Sequence, residues 1–207
     1  MNTAPTPSFD DILREALRVS QANDGPAAIN LFQQALTLNP GSATTYCLLG
    51  AEYITLGQVA ESEAAYANAL VLAPQFHIAR FQLGLLQFTS AKVAVALLTW
   101  QPLLALQDDN ALKLFVMGFA HMAQDDFDVA LSYFERGIVC NVDIPPLNTD
   151  IQRVISEIKD LHEKSGLNGP ASVETNSKSA ETAENTQEAE ADVHFLLSNY
   201  QQQGPAH

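Results

Sequence analysis

Three chemical features recur every 34 residues along this chain of 207 residues. Each repeat has a small residue, then a second small residue, then an aromatic ring. The three series are Ala16, Gly50, Gly84 and Gly118; Ala28, Ser62, Ala96 and Ala130; and Phe32, Tyr66, Trp100 and Phe134. Self-similarity at such a period is typical of helical repeats that stack on their neighbours. The period therefore predicts an elongated all-α array that functions through a continuous surface.

The period divides the chain into four units, each expected to form two antiparallel helices, A and B. After an N-terminal lead-in at residues 1–8, the units are 9–42, 43–76, 77–110 and 111–144. Ser8 is positioned to cap the first helix. In the second unit Gly57 is expected to end helix A, and Pro74 to end helix B because proline breaks the helical hydrogen-bond ladder.

The residues of the second unit resemble the tetratricopeptide repeat family. Helix A carries Tyr46, Leu49, Gly50 and Tyr53, and helix B carries Ser62, Tyr66 and Ala69 before Pro74. The third unit has Arg80, Leu83, Gly84 and Gln87, then Ala96, Trp100 and Leu103; the fourth has Leu114, Met117, Gly118 and His121, then Ala130, Phe134 and Gly137. The first unit is weaker, with Ile12, Glu15, Ala16 and Val19, then Ala28, Phe32, Ala35 and Pro40. The resemblance covers about residues 9–144 and implies a right-handed solenoid.

One departure from the family pattern lies in helix B of the third unit. Pro102 occurs there, where it removes a backbone hydrogen bond. We expect a bend or a short break near residues 98–102.

Three further segments follow the repeats. Residues 145–165 are predicted to form a capping helix with an apolar stripe and with Thr149 and Gln152 as its capping box. Residues 166–190 have the composition of a disordered acidic linker. Residues 191–207 form a short apolar C-terminal segment, predicted to be helical. Its apolar residues mark a candidate self-docking segment: Val193, Phe195, Leu196, Leu197 and Tyr200.

The family resemblance also implies a peptide-binding groove along the concave face, where helix A carries a second apolar stripe. This stripe is fully apolar in the third and fourth units. The predicted groove residues are Leu13, Leu17, Cys47, Ala51, Ile54, Ile78, Phe81, Leu85, Phe88, Leu112, Phe115, Phe119 and Met122. Phe81, Phe88, Phe115 and Phe119 are the expected anchors. The alternative, that neighbouring helices bury these side chains, stays open at this point.

Charge and composition exclude several classes of function. The net charge is −14, and no Lys or Arg occurs between Arg18 and Arg80, which argues against nucleic acid as a partner. No apolar stretch is long enough for membrane insertion, and the N-terminus lacks the pattern of a secretory signal. Cys47 and Cys140 form neither a disulfide framework nor a metal site. These features predict a cytoplasmic protein without membrane insertion.

Nothing in the sequence indicates catalysis. The five histidines lack the spacing of a helical metal site, and there is no glycine-rich phosphate loop or nucleophile elbow. We therefore expect no catalytic residue, no metal and no cofactor, and we predict that the chain is not an enzyme.

The predicted function is a protein-binding scaffold or adaptor that holds an apolar peptide or an amphipathic helix in its groove. Two alternatives stay open. One is a cytoplasmic chaperone for a hydrophobic secreted protein, since small acidic tetratricopeptide proteins resemble in type the bacterial chaperones of secreted translocators. The other is an assembly or regulatory subunit of a larger complex. Homo-oligomerisation through the apolar surface is also left open.

Overall fold

The computed structural model describes residues 7–145 and 147–166. Side chains are described as far as Asp160. All regular structure in these residues is helical. The helices are α1 (Phe9–Gln21), α2 (Gly25–Leu38), α3 (Ala43–Thr55), α4 (Val59–Leu72), α5 (His77–Thr89), α6 (Val93–Trp100), α7 (Ala111–Met122), α8 (Phe127–Cys140) and α9 (Leu147–Gly166), with a 3-10 helix over Gln101–Ala105 between α6 and α7.

The first eight helices pack as four consecutive hairpins, α1 with α2, α3 with α4, α5 with α6 and α7 with α8. Each hairpin also packs on the next one through helices that are adjacent in the chain, such as α2 on α3 and α4 on α5. The odd-numbered helices of the hairpins are the predicted A helices, and the even-numbered ones are the predicted B helices. The predicted all-α repeat fold is therefore confirmed.

The turn inside each hairpin passes through the left-handed backbone region at the same repeat position. The residues are Asn23, Gly57, Ala91 and Asp125, with φ of 59°, 68°, 59° and 59°. Glycine adopts this conformation without strain, and Asn or Asp tolerate it, but alanine does so at a cost. Ala91 is thus the strained member of the series.

The recurring small residue of helix A meets the recurring aromatic ring of helix B. A Cβ atom added at Gly50 would lie 2.9 Å from Cε1 of Tyr66, and one added at Gly118 would lie 2.5 Å from Cε1 of Phe134. At Gly84 it would overlap with the indole of Trp100. Helices A and B approach each other closely because these positions carry no side chain.

Most of the predicted helix ends are confirmed. Ser8 caps α1 with its side chain and forms a reciprocal capping box with Asp11. Helices α2 and α4 each end two residues before a proline, Pro40 or Pro74. Helix α6 ends at Trp100, and the chain continues as a 3-10 helix that contains Pro102. The break predicted near residues 98–102 is therefore present.

The start of α9 differs from the prediction. The helix begins at Leu147, so Thr149 lies within its first turn and is not its cap. The preceding turn is held by Asn141, whose Nδ2 donates to the carbonyl of Ile144 at 2.5 Å and to Oδ1 of Asn148 at 2.7 Å. This amide network starts the helix earlier than the Thr149 pattern indicates.

The last two predicted segments lie outside the described residues, apart from Gly166, which ends α9. They are the linker at 166–190 and the C-terminal segment at 191–207, which includes the five residues of the candidate self-docking segment. Among the described helices, none combines the length and the hydropathy that a membrane span requires.

Candidate functional site: an apolar cleft beside the last helix

A cavity of about 390 Å³ opens on the side of the array that the A helices form. We call it the cleft. This volume falls in the range of about 300–1,000 Å³ that is usual for ligand pockets. Its walls come from α3, α4, α5, α7 and α9, and its lining residues are Ala51, Ile54, Tyr66, Gln82, Leu85, Leu86, Thr89, Phe119, Asp150, Ile151, Arg153, Val154 and Glu157.

Helix α9 supplies one wall of the cleft. It does so while also packing on α8, where Nζ of Lys159 lies 3.4 Å from Oε1 of Glu135. Its residues 150–157 share the cavity with residues of α5 and α3, which lie two and three A-type positions earlier in the chain. The last helix therefore covers the final hairpin and also reaches the A-helix side of the array, a position that its sequence did not predict.

The apolar stripe of α9 is divided between packing and the cleft. Leu147, Ile155 and Ile158 are buried, Ile151 is buried and also lines the cleft, and Val154 is half-buried and lines it as well. Burial of four aliphatic side chains anchors the helix, because each contributes about 1.5–3 kcal/mol when it is fully removed from water. Helix α9, which forms this wall of the cleft, is consequently anchored to the folded core.

The cleft combines apolar surface with a polar edge. Ile54 of α3 is 37% exposed, and Leu85 of α5 is half-buried beside it. Thr89, Arg153 and Glu157 are polar lining residues that are exposed to solvent. Such a surface suits an apolar side chain that enters from a segment whose backbone stays near the solvent.

The structure divides the predicted groove residues into three sets. Four of them line the cleft: Ala51, Ile54, Leu85 and Phe119. Three more are half-buried without lining it: Ile78, Phe88 and Met122. The remaining six are buried in the core: Leu13, Leu17, Cys47, Phe81, Leu112 and Phe115.

Three of the four expected anchors are not free surface. Phe81, Phe115 and Phe119 are 1%, 0% and 1% exposed. The expectation that they stand open in a groove is therefore corrected, and the alternative of burial by neighbouring helices holds for these three. Phe88 keeps partial exposure, and the role of the groove itself in binding stays a prediction.

An aromatic cluster accounts for this burial. Phe119 lies at its centre, with ring centroids 4.9 Å from Phe134, 5.2 Å from both Phe88 and Trp100, and 6.4 Å from Phe81. The stripe that was expected to bind a guest thus joins the third unit to the fourth. Aromatic pairs at such distances contribute about 0.5–1.5 kcal/mol beyond their buried area.

Trp100 is held in the cluster by a hydrogen bond as well as by stacking. Its indole Nε1 donates to the backbone carbonyl of Phe81 at 2.9 Å, and its ring is fully buried. A buried indole N–H without an acceptor is costly, so this bond allows the largest aromatic residue to fill the interior of the third unit.

A buried carboxyl group follows the cleft residue Ala51 in α3, and the prediction of the groove missed it. Glu52 of α3 is buried, and it accepts a hydrogen bond from the hydroxyl of Ser20 in α1. Burial raises the pKa of Glu52, and the hydrogen bond from Ser20 opposes that rise. The signal in the sequence was a lone acidic residue between Ala51 and Tyr53 in an otherwise apolar turn.

The described part of the chain offers neither a reactive thiol at Cys47 nor a cluster of metal ligands. Cys47 is buried, and burial raises the pKa of its thiol to about 12, so the reactive thiolate is suppressed at neutral pH. Within the same residues, no group of three or more His, Cys, Asp or Glu side chains has the geometry to hold a metal ion.

Comparison with known proteins identifies the repeat. A family model described as tetratricopeptide repeat matches residues 43–76, the whole of the second unit. A search of curated proteins finds no match.

Solved structures show the fold of the larger part of the chain. MamA residues 41 to the end from Desulfovibrio magneticus RS-1 align with a TM-score of 0.56 and 10% identity over 78% of this chain and 98% of that one. Another crystal structure of MamA aligns with a TM-score of 0.54 and 18% identity over 80% and 98%. The Cut9–Hcn1 hetero-tetramer of the APC/C aligns with a TM-score of 0.59 and 18% identity over 64% of this chain and 26% of that one. At these identities the likeness concerns the fold alone.

Proposed function

We propose that this chain is a non-enzymatic scaffold that binds an apolar peptide or amphipathic helix of a protein partner. The chain carries a tetratricopeptide repeat within a tetratricopeptide-type fold. Tetratricopeptide folds are protein-interaction scaffolds in general. The finer part of the proposal is the place of binding, which we assign to the cleft. The observation that carries it is the half-buried and exposed apolar surface of Ile54, Leu85 and Val154, contributed by three different helices to one cavity.

The energetics favour a moderate affinity. Two apolar side chains inserted into the cleft supply about 3–6 kcal/mol, since burial of each is worth about 1.5–3 kcal/mol. Association and ordering cost several kcal/mol, so further contacts along the A-helix side are needed for micromolar binding. Half-buried Ile78, Phe88 and Met122 supply additional apolar surface on the A helices. This arrangement corresponds to recognition of a helix in a groove.

The test compares the full-length chain with single variants in the cells that produce it. Leu85→Asp and Ile54→Asp place a carboxylate in the cleft, whereas Leu98→Asp places one on α6, where Leu98 is 70% exposed and does not line the cleft. We expect the first two variants to weaken recovery of the specific partner by tenfold or more, and Leu98→Asp to leave it unchanged. Equal recovery with all three variants would place the binding surface elsewhere.

The composition of the recovered complex separates the proposal from its two alternatives. A chaperone would hold one hydrophobic secreted client and release it, and a regulatory or assembly subunit would return with a complex of fixed stoichiometry. The net charge of −14 helps to keep a protein with an apolar surface in solution. It therefore supports the scaffold and both alternatives equally. We propose a cytoplasmic location because Cys47 and Cys140 are free thiols, which suits a reducing compartment. Light scattering of the purified chain tests whether it forms a homo-oligomer.

A further inference from the structure

We propose that the cleft is occupied in the absence of a partner by the chain's own segment Val193–Tyr200. The inference rests on the proposed function because it assigns a regulatory ligand to the same cavity. The segment lies beyond the described residues. We assign it to the cleft because of the pattern of its residues, the place where α9 ends and the chemistry of the cleft.

The pattern of the segment repeats that of α9. In α9, apolar residues stand at 151, 154, 155 and 158; in the segment they stand at 193, 196, 197 and 200, with the same intervals of three, one and three. In a helical conformation these intervals place four apolar side chains on one face. In α9 three of the four are buried and Val154 lines the cleft. If the segment is helical, this face can pack against the apolar surface that Ile54, Leu85 and Val154 form in the cleft.

The position of α9 brings the segment within reach. Helix α9 lines the cleft as far as Glu157 and ends at Gly166, about 14 Å further along at 1.5 Å per residue. Residues 167–192 then separate Gly166 from Val193, and a random coil of that length has an end-to-end distance of roughly 25–30 Å. A tether of this kind gives an effective concentration in the millimolar range. Even weak docking with a dissociation constant of about 100 μM would then keep the cleft mostly filled.

Apolar contact, and not charge, must drive this docking. Residues 167–192 carry six acidic side chains and one basic side chain, Lys178, and the protein as a whole is strongly acidic. Like charges oppose the approach of the tether, and added salt screens that repulsion. Docking is therefore expected to tighten as the salt concentration rises, the opposite of what an ion-pair interface would show.

A binding experiment with the segment added in trans tests the proposal. The probe is a synthetic, fluorescently labelled peptide of residues 190–203, measured by anisotropy against full-length proteins. Wild type should bind it about tenfold or more weakly than the variant Leu196→Asp with Leu197→Asp, because the intact segment competes in cis. Adding Leu85→Asp to that variant should abolish binding, and adding Leu98→Asp should not.

A cross-linking experiment tests the same docking without Leu85→Asp, so that its result does not depend on how that variant folds. With Cys140→Ser present and the buried Cys47 unreactive, cysteines are placed at Thr89, on the exposed edge of the cleft, and at Ser198. The disulfide between 89 and 198 should form several-fold faster than one between 98 and 198. Equal rates for both pairs, or equal peptide affinity for wild type and the Leu196→Asp, Leu197→Asp variant, would overturn the proposal.

These outcomes are distinct from the test of function. If Leu85→Asp abolishes partner recovery while changes in the segment affect neither peptide binding nor cross-linking, the cleft binds a partner but not the segment. If the segment docks and no partner depends on Leu85, the proposed function fails and the internal ligand remains.

Discussion

The second and third units follow the same 34-residue period, yet they fill it differently. In the second unit a tyrosine packs on Gly50, a glycine occupies the left-handed turn position, and helix B runs unbroken over 14 residues. In the third unit the ring is Trp100, the turn residue is Ala91, and the α-helix B has only eight residues before the 3-10 helix. The family model matches the second unit.

The third unit compensates for its departures with contacts that the second lacks. Trp100 stacks on Phe88 and Phe119, and Arg80 donates to the carbonyls of Pro74 at 2.8 Å and Thr99 at 3.3 Å. At the position of Phe119, the third unit has Leu85 and the second has Ala51. The rings fill the A-helix side around the fourth unit, and the smaller residues leave the cleft beside the second and third. One repeat pattern therefore produces both a sealed core and an open site, depending on side-chain volume.

The largest expected effect comes from removing the ring at the centre of the aromatic cluster. Phe119→Ala gives the fourth unit the residue that the second unit has at this position, and it should lower the free energy of unfolding by about 3–5 kcal/mol. Chemical denaturation followed by Trp100 fluorescence measures the loss. Leu98→Ala is the matched control, with an expected change within about 0.5 kcal/mol because Leu98 is mostly exposed. A loss below about 1 kcal/mol for Phe119→Ala would show that the cluster is not a structural core.

The next effect separates two of the three glycines that face the recurring aromatic rings, Gly84 and Gly50. Gly84→Ala should cost about 2–3 kcal/mol, because its Cβ would overlap the indole of Trp100. Gly50→Ala should cost about 1 kcal/mol or less, since the Cβ would meet Tyr66 at 2.9 Å and alanine gains helix propensity. Alanine already occupies this position in the first unit, as Ala16. Equal costs in denaturation experiments would contradict the role of ring size in spacing the helices.

The turn residues provide a smaller test with opposite signs. Gly57→Ala should destabilise the chain by about 1 kcal/mol, because a left-handed backbone strains an L side chain. Ala91→Gly should instead stabilise it by a few tenths of a kcal/mol, since relief of that strain slightly exceeds the added entropy of the unfolded chain. Melting temperatures of both variants measured in parallel check the pair, and a loss of stability in Ala91→Gly would refute the assignment of strain.

The smallest expected effect concerns the pH dependence of stability at Glu52. Its pKa is raised in the folded state, so the folded chain holds this proton more tightly than the unfolded chain does. The stabilisation that comes from this tighter proton binding is fully present below pH 4.5, the ordinary pKa of a glutamate. It is lost as the pH rises through the folded pKa of Glu52. Glu52→Gln should therefore melt increasingly above wild type as the pH is raised from 4 to 7. A difference that stays constant over this range would contradict the buried carboxyl group as its cause. In the third unit the equivalent residue is Leu86, which has no such titration.

The periodic features were predictable because each depends on a few residues close in sequence. The hairpins, the cap at Ser8, the break at Pro102 and the close approach at Gly50 all follow from local geometry. The burial of Phe81, Phe115 and Phe119 did not, because an apolar stripe looks the same whether it faces solvent or the next A helix. That distinction depends on the curvature of the array and on the path of α9, which arise from contacts between distant residues. The early start of α9 was missed because the amides of Asn141 and Asn148 act across a turn.

Photo-crosslinking from defined positions tests most directly whether the cleft is the binding surface. A photoreactive amino acid replaces Thr89, at the exposed edge of the cleft, or Leu98, on the exposed face of α6, in the full-length chain inside its own cells. We predict specific adducts from position 89, either to a protein partner or to residues 193–200 of the same chain, that are absent from position 98. The same adducts from both positions, or none from position 89, would contradict the account.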